Sequence, residues 1–237
     1  MTQFPASSGR EFIAVAIYVT REARKELMAS NIENRPITDE ELMLRLTGGD
    51  ETAWAELASK YRLHLVRFCA SYLNNDHEAE DIAHEVLLRL YRKADQFDPS
   101  CPFQPWLFRI ARNLCLDHLR HKGNQPVEWT YASSVGIMIE KICDTTTSPA
   151  GKAMRKDIQE RIAEVMREMP EISRTALTLR YCHGLSTKEV AVALGINDGN
   201  ARVRLFRATM GLRDAILPFL DEEVSAKIKS VFSSGKM

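Results

Sequence analysis

The sequence contains little cysteine and no long apolar run. Its five cysteines are scattered, odd in number and form no C-x-x-C pair, which argues against a disulfide framework and favours reduced thiols in a cytoplasm. The longest apolar run, residues 12–19 (FIAVAIYV), is too short to span a bilayer and lacks the basic leader and cleavage site of a secretory signal. We therefore expect a soluble, cytoplasmic protein that does not insert into a membrane.

The chain also lacks an excess of charge of either sign. Lys plus Arg and Asp plus Glu each number 32, so the formal net charge is +0 and no global positive field attracts nucleic acid. Nucleic-acid binding then depends on where the cations cluster. A phosphate-cradling glycine loop and a paired acid/base constellation are both missing from the sequence. We predict no enzymatic activity and no cofactor.

The scattered Cys and His residues do not predict a metal or catalytic site. Cys115, His118 and His121 lie three apart on one predicted helix, a spacing that does not converge all three side chains on one ion. Cys182 and His183 have no third partner that would make them a nucleophilic dyad. A small Cys/His enzyme remains an alternative from another functional class, supported only by these isolated residues.

Helical periodicity dominates the first half, and no stretch shows sustained period-two alternation between hairpin turns. Thr38 and Glu41 form a capping box that opens a helix through Leu46. A second helix has apolar residues at helical spacing, and a third begins near Asp76. The prolines of DPSCPFQP end the third helix and precede a fourth. The apolar positions are Trp54, Leu57, Tyr61, Leu65 and Phe68 in the second helix and Ile82, Val86 and Leu90 in the third.

Between Lys122 and about Gly151 the helical pattern dissolves, with no helix longer than residues 135–142, as is typical of a linker between two domains. Periodicity then resumes at Ile158, Ile162 and Val165, and Pro170 starts a further helix that runs through Tyr181.

Residues 183–216 (HGLSTKEVAVALGINDGNARVRLFRATMGLRDAI) have the pattern of a helix-turn-helix. Ser186 and Glu189 form a second capping box, Gly195 permits the tight turn, and Asn197 or Asp198 caps the next helix. In that helix Ala201, Leu205, Ala208 and Leu212 form one apolar stripe. From residue 200 to residue 213 it contains four arginines and no acid, which suits a major groove lined by phosphates better than an ordinary solvated face.

The stretch FDPSCPFQPWLFRIARNLCLDHLRHK, residues 97–122, combines a proline-broken loop with a helix rich in aromatic and guanidinium groups. An ordinary core helix has no use for so many of these groups so close together, whereas a surface that holds both bases and phosphates does. We predict a nucleic-acid-binding surface here.

The two halves together resemble the extracytoplasmic-function (ECF) sigma factors of bacterial RNA polymerase. AEDIAHEVLLRLYRKADQFDP followed by FQPWLFRIARNLCLDHLR is similar to that family's region 2, and the string from MPEISRTALTLRYCHG to RATMGLR is similar to its region 4. The resemblance implies an all-α fold of two helical domains, a four-helix domain and a helix-turn-helix domain, joined by a flexible linker. The implied divisions are an extension (1–36), region 2 (37–122), a linker (123–151), region 4 (152–217) and a tail (218–237).

The resemblance implies three partners: core RNA polymerase, promoter DNA and an anti-sigma factor. Region 2 is expected to dock on the clamp helices of the largest polymerase subunit through Asp81, His84 and Glu85, a polar face opposite the apolar one. The family usually has glutamine where His84 stands.

The resemblance also implies how DNA is read. In the minus-ten element, Phe97, Ile110 and Asn113 match positions that hold an extruded base, and the phosphate candidates are Arg109, Arg112, Arg120 and Lys122. Trp106 and Leu107 are interpreted as core residues. The minus-thirty-five candidates are Asn200, Arg202, Val203, Arg204, Phe206 and Arg207; the apolar two could touch thymine methyl groups.

An alternative within DNA binding is a LuxR-type regulator, whose reader domain also resembles LSTKEVAVALGI. The region-2 string and the lack of a receiver domain argue against it.

Overall fold

The computed structural model describes residues 37–73, 75–122 and 149–219, and within these ranges all regular secondary structure is helical. The first half contains α1 (Asp39–Thr47), α2 (Glu51–Ala70), α3 (Asp76–Arg92) and α4 (Phe103–His121). The second half contains α5 (Pro149–Glu168), α6 (Glu171–Leu177), α7 (Thr187–Leu194) and α8 (Asp198–Ile216). Both predicted helical domains are present, so the all-α prediction is confirmed.

Side-chain caps fix where the helices of the first half begin. Asp50 accepts a hydrogen bond from the backbone N–H of Thr52 at the start of α2, and Asn75 does the same for His77 and Glu78 at the start of α3. Hydrogen bonds from Thr52 and Arg45 lower the pKa of Asp50 to about 2. The carboxylate that ties α1 to α2 is therefore charged over most of the pH range.

The apolar spacing predicted for α2 and α3 forms the core of the first domain. Leu57, Leu65 and Phe68 in α2 are fully buried, as are Val86 and Leu90 in α3, which confirms the inward face predicted for both helices. Aromatic rings join this core to α4: the ring centroids of Phe68 and Phe108 are 5.1 Å apart, and those of Tyr61 and Phe103 are 5.3 Å apart.

The start of α4 is held by a residue from α1. Pro102 occupies the cap position and supplies no side-chain hydrogen bond, whereas Glu40 Oε1 accepts one from the backbone N–H of Phe103 at 2.8 Å. A carboxylate at a helix N-terminus also interacts favourably with the helix dipole. This contact fixes the loop before α4 relative to the four-helix core.

The helix-turn-helix has the predicted caps. Ser186 and Glu189 form the reciprocal capping box of α7, Gly195 is left-handed with φ of 67°, and Asn197, rather than Asp198, caps α8 by accepting from the N–H of Asn200 at 2.7 Å. Gly184 is also left-handed, with φ of 76°.

A buried stripe on α8 packs against α5, α6 and α7. Ala201, Leu205, Ala208 and Leu212 are all buried, as predicted. The buried Arg174 of α6 donates to the carbonyls of Met166 and Arg167 in the last turn of α5. Such bonds satisfy carbonyls that a helix end leaves open, and they fix the corner from which the helix-turn-helix projects.

The helix predicted from Pro170 through Tyr181 is present, but its second part is wider than an α-helix. After α6, residues 178–182 form a π-helical turn, in which His183 N–H bonds to the carbonyl of Thr178 at 3.3 Å. This turn sets the direction in which His183 leaves the helix.

Some of the sequence predictions fall on residues outside the described ranges. These are the 1–36 extension, the helix at residues 135–142, most of the linker and the tail beyond residue 219. At the linker's far end α5 begins at Pro149, three residues before the start predicted for the second domain. Across the described part of the chain, every helix is too short or too polar to cross a bilayer.

Candidate nucleic-acid interface

The face of α8 opposite its buried stripe is cationic and apolar. Val203 and Phe206 are 48% and 63% exposed, so the same face displays two large apolar side chains. Arg202 and Arg207 are exposed beside them, and Arg202 forms an ion pair with Asp198 at 3.1 Å. A DNA phosphate would have to compete with Asp198 for this one guanidinium.

Arg204 and Arg207 also border a groove between α8 and the α5–α6 corner. The groove is lined on its other side by Val165, Met169 and Pro170. Arg204 is half-buried where it lines this groove. The structure thus brings the predicted minus-thirty-five residues together on one face of one helix.

The predicted minus-ten residues of α4 do not share one environment. Arg109, Asn113 and Arg120 are exposed, and Ile110 is half-buried. Arg120 pairs with Asp117 on its own helix at 2.6 Å. Asn113 lies in the middle of α4, and its side chain forms no hydrogen bond with another described residue, so its amide is available to a ligand.

Phe97 is buried rather than displayed. It is 7% exposed, and its ring packs against Trp106 at 5.2 Å and Phe103 at 5.9 Å between centroids. Leu107 is fully buried and Trp106 is partly buried against the same core, in line with the core role predicted for both. A base captured near Phe97 would contact the edge of this aromatic cluster.

Lys122 is engaged with an acidic residue of α3. Glu78 accepts hydrogen bonds from Lys122 and from His118, the latter at 2.9 Å. These two partners lower the pKa of Glu78. The contact ties the end of α4 to the start of α3. Cys115 is fully buried, and no cluster of three metal-ligating side chains occurs within the described ranges.

The polymerase-binding candidates lie on the outer face of α3. Asp81 and His84 are exposed, and Glu85 is half-buried and pairs with Arg89 at 2.9 Å. Ala83, Val86 and Leu90 on the opposite side are buried. The separation into polar and apolar faces that the sequence predicts is therefore present.

Arg112 has an ion-pair partner in the second half of the chain. Its Nε and Nη2 atoms bond to the two carboxylate oxygens of Glu171 at 3.1 and 2.8 Å. Although burial alone would raise the pKa of Glu171, the hydrogen bonds and charge of Arg112 outweigh it and the pKa is lowered. The hydroxyl of the buried Tyr72 reaches Glu171 Oε1 at 2.9 Å and also bonds to Thr175.

A second contact between the halves is aromatic. The ring centroid of His183 lies 4.4 Å from that of Phe108 and 5.8 Å from that of Phe68, so the His183 ring packs against the core of the first domain. None of Tyr72, Glu171, Thr175 or His183 was predicted from the sequence as an interface residue. Glu171 follows a proline and looks like an ordinary acid in the first turn of a helix, so local pattern contained no sign of its distant partner.

Comparison with known families matches the two halves separately and in order. The model described as Sigma-70 region 2 matches residues 57–125, and the model described as Sigma-70, region 4 matches residues 159–209. A LuxR-type regulator is not favoured, because the first half matches region 2.

Curated relatives match over most of their own length. The RNA polymerase sigma-H factor of Pseudomonas aeruginosa is 30% identical over 186 residues, covering 78% of this chain and 96% of the relative. The ECF RNA polymerase sigma factor SigW of Bacillus subtilis is 32% identical over 167 residues, covering 70% and 89%.

Solved structures share the fold. CnrH in complex with the cytosolic domain of CnrY matches with a TM-score of 0.54 and 22% identity over 76% of this chain and 97% of that one. The sigma factor RpoE, in complex with the anti-sigma factor NepR from Bartonella quintana, matches with a TM-score of 0.50 and 21% identity over 68% and 95%. The order of the two regions and the identity to full-length relatives lead to one conclusion: the chain belongs to the ECF sigma factors, the non-enzymatic initiation factors that direct RNA polymerase to promoters.

Proposed function

We propose that this sigma factor reads a minus-thirty-five duplex with α8, holds an opened minus-ten strand on α4, and binds the polymerase clamp helices with the outer face of α3. The observation that carries the proposal is the composition of α8. One side is a fully apolar buried stripe, and the other displays Arg202, Arg207, Val203 and Phe206. A helix of this kind fits a major groove, where cations meet phosphates and apolar groups meet thymine methyls.

The α4 surface complements this arrangement. Arg109 and Arg120 offer exposed cations to a DNA backbone, and the exposed amide of Asn113 between them offers both donors and an acceptor to a base edge. The adjacent aromatic cluster of the buried Phe97 and the half-buried Trp106 provides an apolar edge against which a base can pack. These groups suit an unpaired strand better than a duplex, whose bases are stacked on each other.

We also propose an anti-sigma factor as a partner. The similar sigma factor RpoE was solved with the anti-sigma factor NepR. An inhibitor of this kind would have to cover a polymerase-binding or DNA-binding surface, and the exposed apolar residues of α8 offer one. The factor would act where polymerase is found, in the cytoplasm.

The salt dependence of promoter binding tests the assignment of α8. Reconstituted holoenzyme is titrated with a promoter duplex located by footprinting upstream of the factor's own gene. Replacing Arg202, Arg204 or Arg207 by alanine should reduce the slope of log affinity against log salt by about 0.9 for each phosphate that the variant no longer neutralises. Arg161→Ala is the matched control, because Arg161 is an exposed α5 arginine paired with Glu164. Unchanged slopes in all three α8 variants would refute the assignment.

A further inference from the structure

Arg112 is held in the geometry in which a guanidinium grips a phosphate. Two of its nitrogens bond to the two oxygens of Glu171, and the paired side chains are only 16% and 26% exposed. Planar guanidinium groups bind carboxylates and phosphates in this same bidentate way. The carboxylate of Glu171 therefore occupies donors that a strand on α4 would use.

The first domain supplies a second hydrogen bond to Glu171. Tyr72 is 1% exposed, and burial raises its pKa well above the ordinary value, so the hydroxyl remains a donor. It bonds to Glu171 and Thr175, both in α6, while Thr175 also donates to Glu171 Oε1 at 3.0 Å. The carboxylate thus has three partners, two of them in the first domain, and its position is fixed from both sides.

Two further contacts bring the second domain over α4. The ring of His183 stacks at 4.4 Å on Phe108, a buried α4 residue. At the turn of the helix-turn-helix, a Cβ placed on Gly195 would lie 3.9 Å from Nη2 of Arg109. The helix-turn-helix therefore reaches Arg109 with its turn and packs α7 against α4, while α6 engages Arg112.

We propose that Glu171 is an internal competitor for the DNA strand, which holds the second domain closed over α4 until the contact is released. The inference rests on the proposed minus-ten role of α4. A strand cannot take both donors of Arg112 while the carboxylate keeps them. Binding of the strand then selects the open arrangement. The apparent affinity for the strand is the intrinsic affinity multiplied by the fraction of molecules that are open.

The test uses the full-length factor without polymerase and two measurements. X-ray scattering gives the radius of gyration, and fluorescence anisotropy gives the affinity for a labelled single strand of mixed base sequence. Glu171→Ala should expand the protein and tighten strand binding about tenfold, within the usual range of coupling between sites. Glu160→Ala removes the same charge from an exposed α5 position and should change neither quantity.

Tyr72→Phe provides an independent variant, because it keeps the buried ring and removes only the hydroxyl that reaches α6. It should give the same two effects, smaller in size. If neither Glu171→Ala nor Tyr72→Phe expands the protein, the closure contact is refuted. Expansion without tighter strand binding would refute the competition.

Arg109→Ala separates the inference from the proposed function. Arg109 makes no part of the Glu171 contact, and its loss should weaken strand binding several-fold in the Glu171→Ala background. If Arg109→Ala weakens strand binding in that background but Glu171→Ala alone leaves the affinity for the strand unchanged, the minus-ten assignment stands and the competition is overturned. No weakening would overturn the minus-ten assignment and the competition together.

Discussion

Asn113→Ala tests whether α4 discriminates among bases. In the structure Asn113 is exposed at mid-helix and its side chain hydrogen-bonds to no other described residue. Alanine has the higher helix propensity, so the substitution should leave the free energy of unfolding unchanged or raise it by up to about 0.7 kcal/mol. If the amide of Asn113 instead bridged buried backbone, alanine would lower the free energy of unfolding.

The expected functional cost follows from the unpaired base. When a base edge loses its amide hydrogen-bond partner inside a desolvated site, the binding free energy becomes less favourable by roughly 1–3 kcal/mol. At 25 °C that is a loss of about 5-fold to 150-fold in affinity for the preferred base. The other three bases should lose less, because they do not make the full set of hydrogen bonds.

Reconstituted holoenzyme on pre-melted templates provides the assay, with each of the four bases placed in turn at every minus-ten position. Affinity for the preferred base at one position should fall toward that for the other three, while duplex binding through α8 persists. His121→Ala, at an exposed position eight residues further along α4, is the control. A lower melting temperature with intact base preference would refute the reasoning.

Three further predictions address the other surfaces. Reversing Asp81 and Glu85 to arginine should abolish co-purification with core polymerase but leave the circular dichroism spectrum unchanged, since surface ion pairs such as Glu85–Arg89 contribute little to stability. Reversing the exposed Glu51 and Glu56 of α2 is the control, and equal loss there would indicate a non-specific charge effect. Ser186→Ala and Asn197→Ala should each lower the free energy of unfolding by about 1 kcal/mol in chemical denaturation, because each removes a helix cap, and no change in either would contradict the cap assignment. The Arg112–Glu171 contact should be fully present above pH 4.5, the ordinary pKa of the carboxyl, and should weaken as the pH falls through the lowered pKa of the folded state. Scattering should therefore show expansion only in acid. Expansion near neutral pH would refute this pH dependence.

Much of the fold could be predicted from the sequence because its helices carry their own boundaries. The capping box at Ser186 and Glu189, and the left-handed glycines at 184 and 195, are local features whose geometry depends on neighbouring residues alone. The stripe from Ala201 to Leu212 likewise follows from helical period and apolar side chains. Such features predict which face is buried without knowing what covers it.

The environment of the candidate site residues could not be predicted in the same way. The family resemblance places Phe97 beside a base, yet the aromatic residues of the following helix bury it. Arg112 and Arg109 are three residues apart on one helix, but within the described part of the chain only Arg112 meets an acid, because the partner comes from 59 positions further along the chain. A long-range contact of this kind leaves no periodic trace in either segment.

The proposed competition also accounts for how a chain with balanced charge could carry the DNA-contacting arginines that we propose. An arginine buried against apolar surface without an anion would be costly, and removing its partner would leave an uncompensated charge. Glu171 supplies the anion in the closed arrangement, and a phosphate would supply it in the open one. The arginine is then paired with an anion in both states. The contribution of this arginine to the free-energy difference between the states is the difference between its interaction with the carboxylate and its interaction with the phosphate. A small difference of this kind can be reversed by the binding of polymerase or of an opened strand, which an unpaired buried charge would not allow.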